Sequence, residues 1–265
     1  MKEQILAALS PAYPWKEHLH WFDSIGSTND EARILAKNGA PHGTVLIAGH
    51  QTGGHGRMGR SFHSPEGVGI YMTVILRPDC TPDRLMHLTC ATAVAMCDAV
   101  ETAIGLRPGI KWTNDLVCGK RKLGGILTAL GLTPKGSVDY AIIGIGINCC
   151  QRGGDFPEEI RDMAGSLAMV TGKEIDRARV AAAMMEALHH MDETLLSEVD
   201  PMLAQYRANC ITLHQDVVLL RGDEKRYGHA VDIDAEGALV VRFADGHLES
   251  VNSGEISVRG MYGYT

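Results

Sequence analysis

Three groups of side chains in this sequence have the types and spacing for chemistry. The first is Gln51 to Phe62, QTGGHGRMGRSF, where Gly53, Gly54, Gly56 and Gly59 alternate with His55, Arg57 and Arg60. Glycines are costly to order, so a cluster of them needs a reason. A loop that brings backbone close to a ligand while its arginines meet an anion supplies one. The second group is Lys111-Trp112-Thr113-Asn114-Asp115, which puts a point charge beside two groups able to orient Mg²⁺ or simply to make a turn. The third is Ser27-Thr28-Asn29, short hydrogen-bonding side chains at the start of a helical pattern. They serve either as caps alone or as a polar wall for a ligand.

The glycine loop fits two phosphate-binding patterns in spacing and neither in context. Gly54-x-Gly56-x-x-Gly59 has the dinucleotide spacing, and Gly54-xxxx-Gly59-Arg60-Ser61 has that of the nucleoside-triphosphate loop with Arg for Lys. Both devices place the phosphate on a helix that follows at once. Here a Pro-containing turn and a β-rich run, Val68 to Arg77, follow instead, and the acidic residue expected about 20 positions on is missing. The spacing reads better as a flap whose arginines clamp an anion on closure.

Periodicity supplies the elements that must hold these groups. Thr28 and Glu31 have capping-box spacing, Ile34 and Leu35 form an apolar face, and Asn38-Gly39 stops the helix. Thr44 to Gly49 is a buried-type strand that delivers the loop. A long helix is expected from Thr81-Pro82 to about Ile104, closed by Gly105. Ile110 to Cys118 reads as one strand with a polar break at Thr113 to Asp115. Gly119-Lys120-Arg121 then turns into a return strand, Lys122 to Leu130, and Tyr140 to Asn148 is a further strand. Gly144 and Gly146 in that strand allow another group to approach closely. Asp176 caps a helix running to Val199, and Asp200-Pro201 opens another. From about Ile211 short alternating strands separated by Gly222-Asp223, Glu236-Gly237 and Asp245-Gly246 predict a small all-β unit.

Composition bounds the function. A net charge of −7 over 265 residues argues against a broad nucleic-acid surface, and 5% aromatics against a stacking platform. Seven cysteines without a C-x-x-C pair fit reduced thiols better than a disulfide framework or zinc site. The N-terminus lacks a signal-peptide core, and the longest low-charge run, Leu85 to Ile104, carries His87, Asp98 and Glu101. A cytoplasmic protein without DNA or membrane partners is expected.

Taken together the blocks resemble the biotin protein ligases. STN at 27–29, QTGGHGRMGR at 51–60, KWTNDLVCGKRKLGGIL at 111–127 and GIGIN at 144–148 are similar to that family in order and spacing, and GALVV at 237–241 with GEISVR at 254–259 is similar to its C-terminal barrel. The resemblance implies an α+β fold. A mixed central sheet flanked by helices, of the class II synthetase and biotin/lipoate ligase kind, would occupy residues 1–210, and a small SH3-like β-barrel residues 211–265. It implies that biotin and ATP form biotinyl-5′-AMP, with Mg²⁺ required. A lysine of a biotin carboxyl carrier domain, as in acetyl-CoA carboxylase, then takes the biotin.

On that resemblance Lys111 and Arg57 are the catalytic pair. Ser27, Thr28, Asn29, Gln51, Gly54, His55, Gly56, Arg57, Lys111, Leu123, Gly124 and Gly125 hold biotin. Arg57, Arg60, Phe62, Lys111, Asn114 and Asn148 hold ATP and the adenylate, and Asp115 is the metal ligand. His55 stands where the family commonly has arginine, which weakens one flap charge. About twenty residues precede the catalytic block, so a DNA-binding domain and repressor activity are not expected. Exposed strands of the central sheet offer a surface for pairing across a two-fold, so a homodimer stands as an expectation. Two other readings are a lipoate protein ligase, which shares the fold and the adenylating lysine, and a non-catalytic regulator that binds biotin or a nucleotide.

Overall fold

A computed structural model describes residues 1–252 and 257–260; of GEISVR, residues 254–256 lie outside the described residues. Helix α1 (Lys2–Ala8) precedes strand β1 (Leu19–Phe22), and α2 (Thr28–Lys37) precedes β2 (Thr44–Ala48) and β3 (Gly69–Leu76). Then come α3 (Leu88–Ile104), β4 (Gly109–Lys111), β5 (Asp115–Cys118), β6 (Arg121–Leu132) and β7 (Val138–Asn148). Helices α4 (Leu167–Thr171), α5 (Arg177–Thr194) and α6 (Val199–Asn209) lead to β8 (Asp216–Arg221), β9 (Glu224–Ile233), β10 (Leu239–Arg242), β11 (Leu248–Val251) and β12 (Ser257–Gly260).

Strands β1 to β7 form a seven-stranded mixed sheet in the order β1-β2-β3-β7-β6-β5-β4, parallel only between β1 and β2. Every residue of β3 is buried, because helices cover the sheet on both sides, and such strands read as continuous apolar runs. Helices α3 and α5 pack together on one face through alanines, valine and methionine, and α2 lies on the other against β2, β3 and β7. Strands β8 to β12 make a separate five-stranded antiparallel sheet. No helix among the described residues is long and apolar enough to cross a membrane.

Several elements differ from the sequence reading. Strand β1 has no counterpart among the elements expected above; its residues pair with β2 residues 26 positions along, so no local turn announces it. The capping box at Thr28 and Glu31 does not form. Ser27 is the N-cap residue, and the Thr28 hydroxyl turns instead to Gln51 and Thr73. The buried face of α2 is Thr28, Ala32 and Ala36, whereas Ile34 is 53% exposed. The helix expected from Pro82 starts as a 3-10 turn over Pro82–Leu85, with α3 proper from Leu88; Gly105, at φ 73°, closes it as expected. His87 is buried with Nε2 against Leu195 O, a satisfied core histidine. The helix capped by Asp176 ends at Thr194 rather than Val199.

The most consequential difference concerns residues 110–118. They are not one interrupted strand but a hairpin, with Lys111 opposite Asp115 across β4 and β5 and residues 112–114 as its turn. The Trp112–Thr113 peptide is cis.

Candidate active site

The glycine loop folds back on itself. Phe62 N–H donates to Gly54 O at 2.8 Å and Gly56 N–H to Arg60 O at 2.7 Å, with a 3-10 turn over Arg57–Gly59 at the tip. Its glycines serve this pairing. A Cβ on Gly54 would lie 2.6 Å from Phe62 O, and Gly59 takes a φ of 72° that favours glycine. At the base, Gly53 N–H donates to Gly26 O and Thr52 N–H to Ile25 O, so the loop leaves the sheet beside the start of α2.

This loop, the N-terminus of α2, the 112–114 turn and the face of β6 and β7 enclose a cavity of about 160 Å³. Ser27, Thr28, Asn29, Gln51, His55, Gly56, Arg57, Arg60, Phe62, Lys111, Asn114, Asp115 and Gly125 all line it. Residues up to 119 positions apart, Ser27 and Gly146, thus meet in one place. Four of the sequence-predicted residues do not reach the lining. Leu123 is buried in the core, Gly124 packs against Gly146 O, and Gly54 is buried in the base of the loop between Phe62 O and Ser64 Oγ. Asn148 also lies elsewhere. It is 5% exposed, its Nδ2 donates to Gly165 O, and its Oδ1 accepts from Gln151 Nε2.

The polar wall is tightly hydrogen-bonded. Gln51 Oε1 accepts from the Thr28 N–H at 2.8 Å and the Thr28 hydroxyl at 3.0 Å, while Gln51 Nε2 donates to Ser64 Oγ. Opposite it, Arg57 Nη1 donates to Asn114 Oδ1 at 3.0 Å, and Asn114 Nδ2 donates to Ile126 O. Burial pushes the Arg57 guanidinium down from its ordinary value; Asp115 opposes that and Arg60 adds to it. Lys111, at 9% exposure, brings a second cation to a nearly dry position, where opposite charge is felt strongly. Lys122, not foreseen from the sequence, pairs with Asp115 at 2.6 Å. His55 leans away from the cavity centre, with Nε2 2.7 Å from Asp30 Oδ2 on α2.

Glycines also flatten the floor. A Cβ on Gly146 would lie 2.6 Å from Cζ of the Phe62 ring, which stands edge-on to Tyr71. A Cβ on Gly144 would lie 2.6 Å from Asn29 Cγ. Behind the cavity, Trp112 N–H donates to Thr212 Oγ1 and Trp112 Nε1 to Gly237 O, both at 3.0 Å, and the buried Tyr206 hydroxyl donates to Thr113 O. None of those three contacts had a local signal in the sequence.

The donor set does not fit a resident Mg²⁺. Asp115 is the one carboxylate on the cavity lining among the described residues, and its Oδ1 is on Lys122. Asn114 already uses both amide atoms, and no cluster of three or more potential ligands occurs among the described residues.

Comparison with known proteins agrees with this geometry. The Biotin/lipoate A/B protein ligase family matches residues 21–148, and the biotin protein ligase C-terminal domain matches residues 212–259. A bifunctional ligase/repressor BirA of Bacillus spizizenii is 36% identical over 91% of this chain and 74% of its own length. A biotin–[acetyl-CoA-carboxylase] ligase of Mycobacterium tuberculosis is 30% identical over 97% of this chain and 93% of its own. The structure of an Aquifex aeolicus biotin protein ligase in complex with biotin and ATP superposes with a TM-score of 0.77 at 30% identity, covering 91% of this chain and 98% of that one. The chain belongs to the biotin and lipoate protein ligases. Within that class it is a member of the biotin protein ligase family.

Proposed function

We propose that this cavity runs two successive steps, an adenylyl transfer and then an acyl transfer. In the first, the biotin carboxylate attacks the α-phosphate of ATP, giving biotinyl-5′-AMP and pyrophosphate. In the second, a lysine amine of a carboxylase carrier domain attacks the acyl carbon and AMP leaves. Bringing a carboxylate against a polyphosphate requires like charges to be neutralised where water is scarce. Lys111 supplies that charge at the reacting centre, and Arg57, oriented by Asn114, holds the phosphate from the loop side. Arg60 takes the outer nucleotide, and the adenine lies against Phe62. Ser27, Thr28, Asn29 and Gln51 recognise the ureido ring. Any Mg²⁺ belongs to the triphosphate as part of the substrate, since the protein side chains do not form a cage for it.

The observation that carries this reading is the convergence on one cavity of a neutral hydrogen-bonding wall and the cations Lys111, Arg57 and Arg60. The test is biotin-dependent exchange of labelled pyrophosphate into ATP. Exchange with biotin, and far less with lipoate, is expected. No exchange by folded protein would refute the reading.

A further inference from the structure

Thr73, in the middle of β3, is wholly buried and sits under the polar wall. Its Oγ1 lies 2.8 Å from Thr28 Oγ1 and 2.6 Å from the Asn29 Oδ1 position, the amide end whose identity the hydrogen-bond network decides. Thr28 Oγ1 in turn lies 3.0 Å from Gln51 Oε1. The direction of each bond follows from counting protons. Gln51 is oriented without ambiguity, because its Oε1 accepts from the Thr28 N–H, a donor only. Ser64 Oγ, which receives Gln51 Nε2, passes its own proton to Phe62 O.

The Thr28 hydroxyl must therefore donate to Gln51 Oε1. That leaves Thr28 Oγ1 to accept from Thr73, which uses the only proton Thr73 has. The 2.6 Å contact between Thr73 and Asn29 then has a proton only if Asn29 provides it. With an oxygen of Asn29 facing Thr73, two hydroxyl protons would have to serve three oxygen–oxygen contacts. Amide orientation is settled by such a network. We infer that Asn29 presents Nδ2 to Thr73 and its carbonyl oxygen to the cavity, and that Thr73 is the positioning residue that fixes this direction.

The result is a one-way chain of hydrogen bonds: Asn29 to Thr73 to Thr28 to Gln51, then Gln51 to Ser64 to the Phe62 carbonyl. Asn29 lines the cavity, and its second amide atom has no hydrogen-bond partner among the described residues. An acceptor there selects a ligand that offers an N–H, as a cyclic urea does and a dithiolane does not. A buried acceptor facing a ligand without a donor is left unpaired, which is the strongest form of discrimination available to a polar pocket. This rests on the activity proposed above and names the atom that enforces its acid specificity.

The test uses wild type, Thr73→Val and Thr73→Ser, with biotin affinity by titration calorimetry and KM for biotin and ATP in pyrophosphate exchange. Valine keeps the shape and removes the hydroxyl. Biotin binding should weaken about tenfold while the ATP KM stays within about twofold, and serine should restore biotin binding to within about threefold. Thr73→Ala provides the same comparison if the valine variant does not fold. Unchanged biotin affinity without the hydroxyl, equal losses for both substrates, or serine behaving like valine would each overturn the assignment. Failure of the wild type itself to bind biotin or exchange pyrophosphate would instead overturn the activity on which it rests.

Discussion

Replacing Gly146 by alanine tests the floor of the cavity with a single methyl group. Gly146 pairs with Tyr71 across β3 and β7, and the Phe62 ring lies directly over it. The new Cβ would stand 2.6 Å from Phe62 Cζ and 2.9 Å from Cδ1. Carbon atoms settle at about 3.5–4.0 Å, so the ring must retreat by roughly 1 Å. Phe62 is half-buried at the cavity edge, so it can swing outward at little cost to the fold. Thermal stability should change by less than about 1 kcal/mol. Catalysis should change more. A misplacement of roughly 1 Å costs up to about 10²-fold in rate, and if Phe62 holds the adenine the loss falls on ATP. The expected result in pyrophosphate exchange is a drop of about 10- to 100-fold in kcat/KM for ATP, near 1.4–2.7 kcal/mol, with the biotin KM within about threefold. Gly144→Ala collides with Asn29 instead, so it should raise the KM for biotin and spare ATP. If the two substitutions affect the same substrate, or if Gly146→Ala melts the protein, the assignment of the two halves of the cavity is wrong.

Other outcomes follow from the same geometry. Lys111→Ala should abolish most exchange activity, about 10³-fold or more, while Cys149→Ala leaves it within about threefold, because Cys149 is buried away from the cavity lining. Tyr206→Phe strips the Thr113 carbonyl of its donor in a dry site and should cost about 1–3 kcal/mol by denaturant titration. Asp176→Ala removes an N-cap that accepts from Ala178 and Arg179 N–H groups, so stability by denaturant titration should fall by about 0.5–2 kcal/mol with activity kept. Burial pushes the Cys90 and Cys97 thiols up to about 12 from 9.0. A group raised in the folded state favours folding while both states are protonated. Stability should therefore hold up to about pH 9 and fall progressively as pH rises toward 12, which thermal melts across that range would reveal.

How far the sequence reached depended on the range of the signal. The turns of the C-terminal sheet, the Gly105 stop and the Asp176 cap are local and were legible. So were most cavity residues, because four blocks of the sequence resemble one family in order and spacing. What the sequence hid was set by tertiary pairing. Strand β1 finds its partner across a helix, and the 110–118 hairpin has an apolar pattern that a single strand would share. Thr28 does not cap because Ser27 takes the N-cap position, and its hydroxyl is engaged by Gln51 and Thr73 from distant parts of the chain. Asn148 looked like a ligand group at a strand end, but its amide is engaged within the protein by Gly165 and Gln151. Thr73 left one faint trace, a lone hydroxyl in the apolar run MTVIL.

The edge strand β4 is only three residues long, and beyond β5 its hydrogen-bonded company comes from far along the chain: Ile211 N–H meets Ile110 O, Thr212 and Gly237 grip Trp112, and Tyr206 holds Thr113. During synthesis the cavity wall therefore cannot take its final shape until residue 237 has left the ribosome, more than 120 residues after Lys111 was made. A nascent chain grown to Lys122 already has every charged group of the cavity lining among the described residues, yet lacks the rear support that sets their spacing. Activity would switch on late in translation, so a reactive acyl adenylate would not be made by an unfinished protein.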